Sequence, residues 1–416
     1  MNIPQGYKQT ELGIIPEDWE VKRISDFTSI ITGGTPSTQR PEYWGGNIMW
    51  MSSGELNKKF VFDVEGRITA EGLLNSSTHI IPPFCVLIGL AGQGKTRGTA
   101  AYNYISLCTN QSIAAILPND EYDSLYLYYV VDSKYDYLRL LSSGDGGRGG
   151  LNKNLLSSLE ISFPKTIAEQ RAIAEALSDI DGLIAALDKK IAKKRLIKQG
   201  AMQQLLTGKK RLSKYTDKWE YVRFGDCAEI YRGGSPRPIE KFITKQAGGI
   251  NWIKIGDVKS NDKYINRTEE RIIPEGVSRS RQVYVGDFIL SNSMSFGRPY
   301  ILNIEGCIHD GWLVIQNYHG HFDKDFLYYI LCSEDVMAQY IGMAAGSSVK
   351  NLNKDKVASL LLFIPKTIDE QQAIATILSD MDKEITDLEA KRDKYRLLKS
   401  GMMQKLLTGQ IRLKKE

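Results

Sequence analysis

The chain repeats itself once, and that repeat constrains its fold more than any other feature. Residues Pro164–Leu212 align without gaps on Pro365–Leu413, with about 29 of 49 positions identical. PKTIAEQRAIAEALSDID matches PKTIDEQQAIATILSDMD, and MQQLLTGKKRL matches MQKLLTGQIRL. A fainter echo precedes each copy: DWEVKRISDFTSIITGGTPS from Asp18 matches KWEYVRFGDCAEIYRGGSPR from Lys218. Trp50–Glu55 echoes Trp252–Asp257, Leu127-Tyr128-Tyr129 echoes Leu327-Tyr328-Tyr329, and Leu151-Asn152-Lys153 echoes Leu352-Asn353-Lys354. A period near 200 residues that occurs only twice means a duplicated domain-plus-helix unit, not a solenoid.

Within each copy the strongly repeated part reads as a long helix. Ile173, Leu177, Ile180, Ile184, Leu187 and Ile191 recur in steps of four and three, and Ile374, Leu378, Met381, Ile385 and Leu388 do the same. That is a heptad seam, which marks helices packed along their length. Thr166-Ile167-Ala168-Glu169 and Thr367-Ile368-Asp369-Glu370 are capping boxes, in which the threonine accepts an orphan N–H and the glutamate reaches back. Gly208 and Gly409 stand where a left-handed residue ends each helix. About 40 helical residues rise about 60 Å, far beyond the mean helix of about 11–12 residues, so each copy needs a partner, and the obvious one is the other copy. The repeat predicts that Ile173, Leu177, Ile180, Ile184 and Leu187 face Ile374, Leu378, Met381, Ile385 and Leu388 in antiparallel order. Lys194 and Lys198 interrupt the heptads, so the last third of the first helix either splays or faces the partner.

The stretches from Trp19 to Phe163 and from Trp219 to Phe363 read as mixed α/β domains. Short β-rich runs (Cys85–Leu90, Ile113–Leu117, Phe288–Leu290, Trp312–Ile315) alternate with Gly/Ser/Asn-rich loops, and the tyrosine-rich stretches Leu125–Val131 and Phe326–Leu331 suit short core helices. The expected division is residues 1–163 as a first domain with residues 1–18 as linker, 164–210 as the central helix, 211–364 as the second domain, and 365–416 as the C-terminal helix. The fold class is α+β: two α/β domains related by a pseudo-two-fold axis and joined by two long antiparallel coiled-coil helices. Five scattered cysteines form no C-x-x-C pair, and no run approaches the roughly 18 apolar residues of a membrane span. With no signal-peptide pattern at the N-terminus, a reduced cytoplasm is expected. The net charge of +5 is modest, but Lys165–Arg211 carries about +6 against about −4 over the first 164 residues. A solvated helix face accounts for that as readily as a nucleic-acid partner does.

Catalytic motifs fail on context. Gly89-Leu90-Ala91-Gly92-Gln93-Gly94-Lys95-Thr96 fits G-x-x-x-x-G-K-[ST], yet no helix signal follows Thr96 to aim amides at a phosphate. Ser291–Arg298 in the second copy has no lysine, so an inter-strand loop carrying Lys95 and Arg97 is expected, with a P-loop nucleotide-binding protein as the remote alternative. Ile81-Pro82-Pro83-Phe84 lacks the polar first residue of an amino-methyltransferase tetrad. Glu389-Ala390-Lys391 lies in a heptad helix, and His319, His321 and Asp310 are too few for a metal site. No acid–base or nucleophilic set recurs in both copies, so a binder is expected, without catalytic residues, metal or cofactor.

The order Trp-Glu, GGTPS, a variable stretch, P-K-T-I-x-E-Q and a long helix ending L-L-T-G, all done twice, resembles the specificity subunit of type I restriction–modification systems. The resemblance covers essentially the whole chain. It implies two target recognition domains that each read half of a bipartite, asymmetric double-stranded DNA site. It also implies helices that set the gap and carry two methyltransferase (modification) subunits, with restriction (translocase/nuclease) subunits as further partners. S-adenosylmethionine and ATP would bind only those partners. By the same resemblance Gly6–Gly13 completes, beside the C-terminus, a linker whose counterpart is Ser213–Lys218. Arg and Lys suit guanine, Asn and Gln suit adenine. The expected base readers are Gln93, Lys95, Thr96 and Arg97 in one copy and Asn292, Ser293, Ser295 and Arg298 in the other. Thr35, Ser37 and Gln39 with Ser235 and Arg237 form a second pair of reading loops, and Arg148, Lys153, Lys350 and Lys354 are expected on phosphate. The competing class is a coiled-coil scaffold whose domains bind other proteins.

Overall fold

The computed structural model describes residues 3–92, 94–142, 150–259, 262–292, 297–344 and 352–413. Contacts divide the chain into two compact units, residues 1–188 with 391–416 and residues 189–390. The division falls inside both long helices, not at the helix starts where the sequence boundaries were drawn.

Each unit is built on a five-stranded sheet of the same order. In the first unit, β1 (Ile30–Thr32), β2 (Phe60–Val61), β3 (Val86–Gly89), β4 (Ala100–Asn103) and β5 (Ile113–Ile116) line up as β1-β5-β3-β4-β2. In the second, β6 (Glu229–Arg232), β7 (Tyr264–Ile265), β8 (Phe288–Ser291), β9 (Pro299–Leu302) and β10 (Trp312–Gln316) line up as β6-β10-β8-β9-β7. Among the described residues the only parallel pairs in these two sheets are β2 with β4 and β7 with β9. The central strands are buried on both faces, so they read as continuous apolar runs and not as alternation. Alternate residues feed two cores. Val86, Ile88, Ala114 and Ile116 pack with the tyrosine helix α1 (Ser124–Ser133) and with the long helices. Leu87, Ala101, Ile113 and Ala115 face a second cluster with Met51 and Leu107. In the second unit Phe288, Leu290, Leu313 and Ile315 face helix α3 (Lys324–Leu331), and Ile289, Tyr300 and Val314 face the other side. A further sheet in each unit carries the Trp50 and Trp252 echoes, through parallel pairing of Trp50 with Cys108 and of Trp252 with Cys307.

Helices α2 (Ile167–Leu205) and α4 (Ile368–Leu406) are 39 residues each. They run antiparallel within each unit, but the seam is not the one the repeat suggested. Ile173 and Leu177 share a cluster with Leu406 and Leu407, while Ile374 and Leu378 share one with Leu205 and Leu206. The first half of one helix thus meets the last half of the other. Ion pairs fix this register: Asp181 with Lys399 and Asp188 with Arg392 in the first unit, Lys194 with Glu384 and Lys198 with Asp382 in the second. Lys194 and Lys198 therefore face the partner helix. A register matched residue for residue between copies would set like against like; the observed offset sets acidic residues of one helix against basic residues of the other.

The echoed motifs turn out to be joints. Thr166 and Thr367 accept the N–H of Glu169 and Glu370, as expected of caps. The glutamates, however, do not reach back. Glu370, 1% exposed, takes a two-pronged bond from Arg211 at 2.8 and 2.9 Å and a third from Trp219 Nε1 at 3.1 Å. Glu169 receives Arg412 in the same way, and Arg412 also bonds both oxygens of Asp18 at 2.8 and 3.0 Å. These carboxylates, the Glu169 bond foremost, hold the Arg412 guanidinium above its ordinary range. Gly208 and Gly409, at φ +67° and +69°, bring each helix end against Trp219 and Trp19. Gln170 and Gln371 each accept from the N-cap backbone of the tyrosine helices, at Asp123 and Asp323. Tyr7 Oη donates to the Gly409 carbonyl, so the N-terminal linker lies beside the C-terminal segment within the first unit.

Candidate nucleic-acid interface

Because β5 runs antiparallel to both β1 and β3, the end of β1, the start of β5 and the end of β3 lie at one edge of the sheet. The second unit repeats this with β6, β10 and β8. Three loops therefore converge in each domain. The glycine pairs make the approach possible. A Cβ on Gly33 would sit 1.9 Å from the Thr109 carbonyl oxygen, and one on Gly233 would sit 2.1 Å from that of His309. Gly33 and Gly34 donate to the Ile113 and Thr109 carbonyls; Gly233 and Gly234 donate to those of Trp312 and Ile308. From the other side Leu90 donates to Ser112, and Asn292 to Gly311.

The two sets of reading loops predicted from sequence thus flank one turn, residues 110–112 in the first domain and 309–311 in the second, which sequence reasoning missed. Thr35 Oγ1 donates to Gln111 Oε1, and at the matching position Ser235 Oγ donates to Asp310 Oδ1 at 2.7 Å. His309 Nδ1 accepts from Gly311 N, which assigns the ring hydrogen to Nε2, 3.1 Å from Asp310 Oδ1. Ser235 first, then His309 and Arg237, hold the Asp310 carboxyl below its ordinary range. Ser37, Gln39 and Arg237 are exposed, Arg237 lies 3.5 Å from Asp310, and Trp44 Nε1 donates to the Ser37 carbonyl.

The glycine-rich loop after β3 leads directly into β4, antiparallel to β3, so residues 94–99 form an inter-strand loop with no helix at Lys95. Lys95 is exposed and Thr96 half-buried. Arg97 departs from expectation. It folds back onto the Gly92 carbonyl and onto Ser142, beyond the helix Tyr135–Leu141, and so ties the loop down. Asn292 is likewise no free reader: 5% exposed, its amide donates to the Asp310 carbonyl and supports that turn. Arg298 lies over the Tyr300 ring and lines a cleft of about 1450 Å³ with Lys198, Lys263, Tyr329 and Asp382. Lys153 and Lys354 are exposed in the first turns of short helices capped by Asn152 and Asn353. Gln93, Arg148, Ser293, Ser295 and Lys350 lie outside the described residues. His319 and His321 are not brought to Asp310, which pairs with His309. Among the described residues no helix is long and apolar enough to cross a membrane.

The tyrosine helix of each domain is held to the long helices by a second duplicated contact. Tyr129 Oη donates to Asp181 at 2.9 Å, and Lys399 binds the same carboxylate at 2.7 Å while lying over the Tyr129 ring. Tyr329, Asp382 and Lys198 repeat it. Burial first and Asp181 second push the Tyr129 phenol far above its ordinary range, so it stays a donor.

The family described as the type I restriction modification DNA specificity domain matches residues 16–194 and again 216–395. The chain belongs to that family. A type I restriction enzyme specificity subunit of Methanocaldococcus jannaschii (MjaVIII) is 25% identical over 96% of this chain and 94% of its own length. Another from that organism (MjaIX) is 36% identical over 43% of this chain and 41% of its own length. The fold is shared with the S subunit of a type I restriction–modification system from M. genitalium, at TM-score 0.60 and 14% identity, covering 98% of both chains. A chain from a structure concerned with complex assembly and conformational transition of the type I R-M system gives TM-score 0.62 at 14% identity, covering 95% of this chain and 99% of its own. Members of the family are specificity subunits, and the duplicated match agrees with two DNA-recognition domains.

Proposed function

We propose that this specificity subunit reads a bipartite, asymmetric double-stranded DNA site, one half-site per domain. The observation that carries this is the same three-loop edge built twice on the same strand order, with different side chains at its centre. Two readers of one frame and unlike chemistry suit two unlike half-sites. Side chains on the loops select bases, while exposed lysines such as Lys95, Lys153 and Lys354 meet phosphate. The paired helices set the spacer and carry two methyltransferase subunits. Leu183, Leu397 and Leu398 in the first unit are 50–76% exposed, and Leu196 and Ile197 in the second are 69% and 46% exposed, so each unit carries exposed apolar helix residues that suit such docking. Restriction subunits join that assembly in the cytoplasm. The chain itself does no chemistry, and S-adenosylmethionine and ATP act on its partners. The test is to exchange Trp19–Phe163 for the corresponding domain of another family member, co-express the methyltransferase, and sequence the methylated motifs. One half-site should change and the other persist; a change in both would refute independent readers.

A further inference from the structure

We infer that positions 111 and 310 are the centre of base selection in the two domains: Gln111 reads a base directly, whereas Asp310 aims Arg237. This deepens the proposed DNA-reading role and rests on it. The two residues occupy matching places. Each follows the strand that pairs parallel with the Trp50 or Trp252 strand, and each is gripped by the hydroxyl that follows a Gly-Gly pair. What differs is what remains free. Gln111 is exposed, and its Oε1 accepts from Thr35, which leaves the amide N–H groups to donate elsewhere. An amide nitrogen on an exposed side chain, with a second lone pair on Oε1, supplies the donor–acceptor pair that matches N7 and N6 of adenine.

Asp310 has no such freedom. Ser235 and His309 Nε2 converge on Oδ1, Asn292 holds its carbonyl, and Oδ2 lies 3.5 Å from Arg237 Nη2. The Arg237 side chain is 81% exposed and its guanidinium has donors to spare beyond that contact. The cluster rims an open cavity of about 670 Å³ shared with Trp252, Lys254 and Glu270. A carboxylate held at Oδ1 by Ser235 and His309, with Oδ2 left facing an exposed guanidinium, orients its fork, and that fork matches O6 and N7 of guanine. The first domain has Ser37 at the position of Arg237, so it has no arginine for Gln111 to aim. Asp310 is therefore a positioning residue and Gln111 a contact residue.

The experiment uses the full chain with its co-expressed methyltransferase subunits. Methylation motifs are sequenced, and competition binding uses duplexes substituted at each motif position. Gln111→Ala should make one adenine of the first half-site degenerate, with discrimination there reduced roughly 5- to 150-fold. Arg237→Ala should do the same to one guanine of the other half-site. Asp310→Ala should relax that same guanine, and the Arg237→Ala/Asp310→Ala double variant should read no worse there than Arg237→Ala alone, with thermal stability held within a few degrees. A Gln111→Ala motif identical to the wild type, or an Asp310→Ala effect at other bases or additive with Arg237→Ala, overturns the inference. A wild-type complex with no motif at all would overturn the parent reading and this one with it.

Discussion

Replacing Glu370 by alanine should cost this protein more than the same change at Glu169, although the two residues occupy the same place in the repeat. Both glutamates are almost fully buried and both sit in the first turn of a long helix, so the helix-dipole contribution is common to the pair. The difference lies in what each leaves behind. Glu370→Ala strands Arg211, whose two bonds are lost together, and the Trp219 indole N–H, which has no other recorded partner. Removing one member of a buried pair costs about 3–5 kcal/mol. Arg211 keeps about a quarter of its side chain in water, which brings the expectation to about 2–4 kcal/mol. Glu169→Ala leaves Arg412 its two bonds to Asp18, and Trp19 Nε1 is already without a partner, so about 1–2 kcal/mol is expected. The chain has two compact units, so a single global transition is not assumed. The assay is scanning calorimetry with hydrogen exchange to assign each transition. For a unit of roughly this size, Glu370→Ala should lower the transition of the second unit by roughly 5–15 °C and leave the first in place. Equal losses in the two variants, or a larger one in Glu169→Ala, would refute the assignment of these motifs as unequal joints.

Three further outcomes are expected. Lys95→Ala should weaken or alter reading of the first domain's half-site alone in the motif assay; ATP binding by the wild type that the variant loses would sink the loop reading. Inserting four residues after both Asp188 and Ala390 keeps the ion-pair register inside each unit and adds about 6 Å of helix. At 3.4 Å per base pair the methylated motif should gain one or two spacer base pairs, and an unchanged spacer with full activity would show that the helices do not set it. Leu397→Asp with Leu398→Asp, at positions 76% and 52% exposed, should leave the melting profile intact and reduce co-purification of methyltransferase; undiminished capture would remove the helices as the docking surface.

The repeat made the architecture legible because joints need fixed chemistry. Glu169, Gln170 and the terminal Arg412 recur as Glu370, Gln371 and Arg211 since each must complete the same buried contact. Strands β3, β5, β8 and β10 were legible as apolar runs because both of their faces are buried. The helix seam was misread for a definite reason. Heptads report which face of a helix is buried, not which stretch of the partner buries it, and the complementary charges of Asp181 with Lys399 and Lys198 with Asp382 carry that information instead. Residue type alone suits Arg97 and Asn292 to DNA; the structure adds that each bonds a nearby backbone carbonyl, which no local pattern reveals. The turns at Gln111 and Asp310 escaped because they are not alike in sequence; only the hydroxyls that grip them, Thr35 and Ser235, were echoed.

Under the proposed function, that contrast accounts for how a duplicated chain would read an asymmetric site. The parts that repeat are those that must satisfy each other inside the protein: the glycines that clear the Thr109 and His309 carbonyls, the hydroxyl that follows them, and the tyrosine and aspartate that tie each domain to its helices. The side chains free to differ are the exposed ones, Gln111 in the first domain and Arg237, where the first domain has Ser37, in the second. A substitution at such a position changes the pattern of donors and acceptors shown to a base edge without leaving a buried group unpaired, so its stability cost is small while its effect on discrimination is large. A substitution at a joint does the reverse. On the proposed reading, the repeated residues at these edges hold the loops in place and the unrepeated ones at positions 37/237 and 111/310 set the base preference.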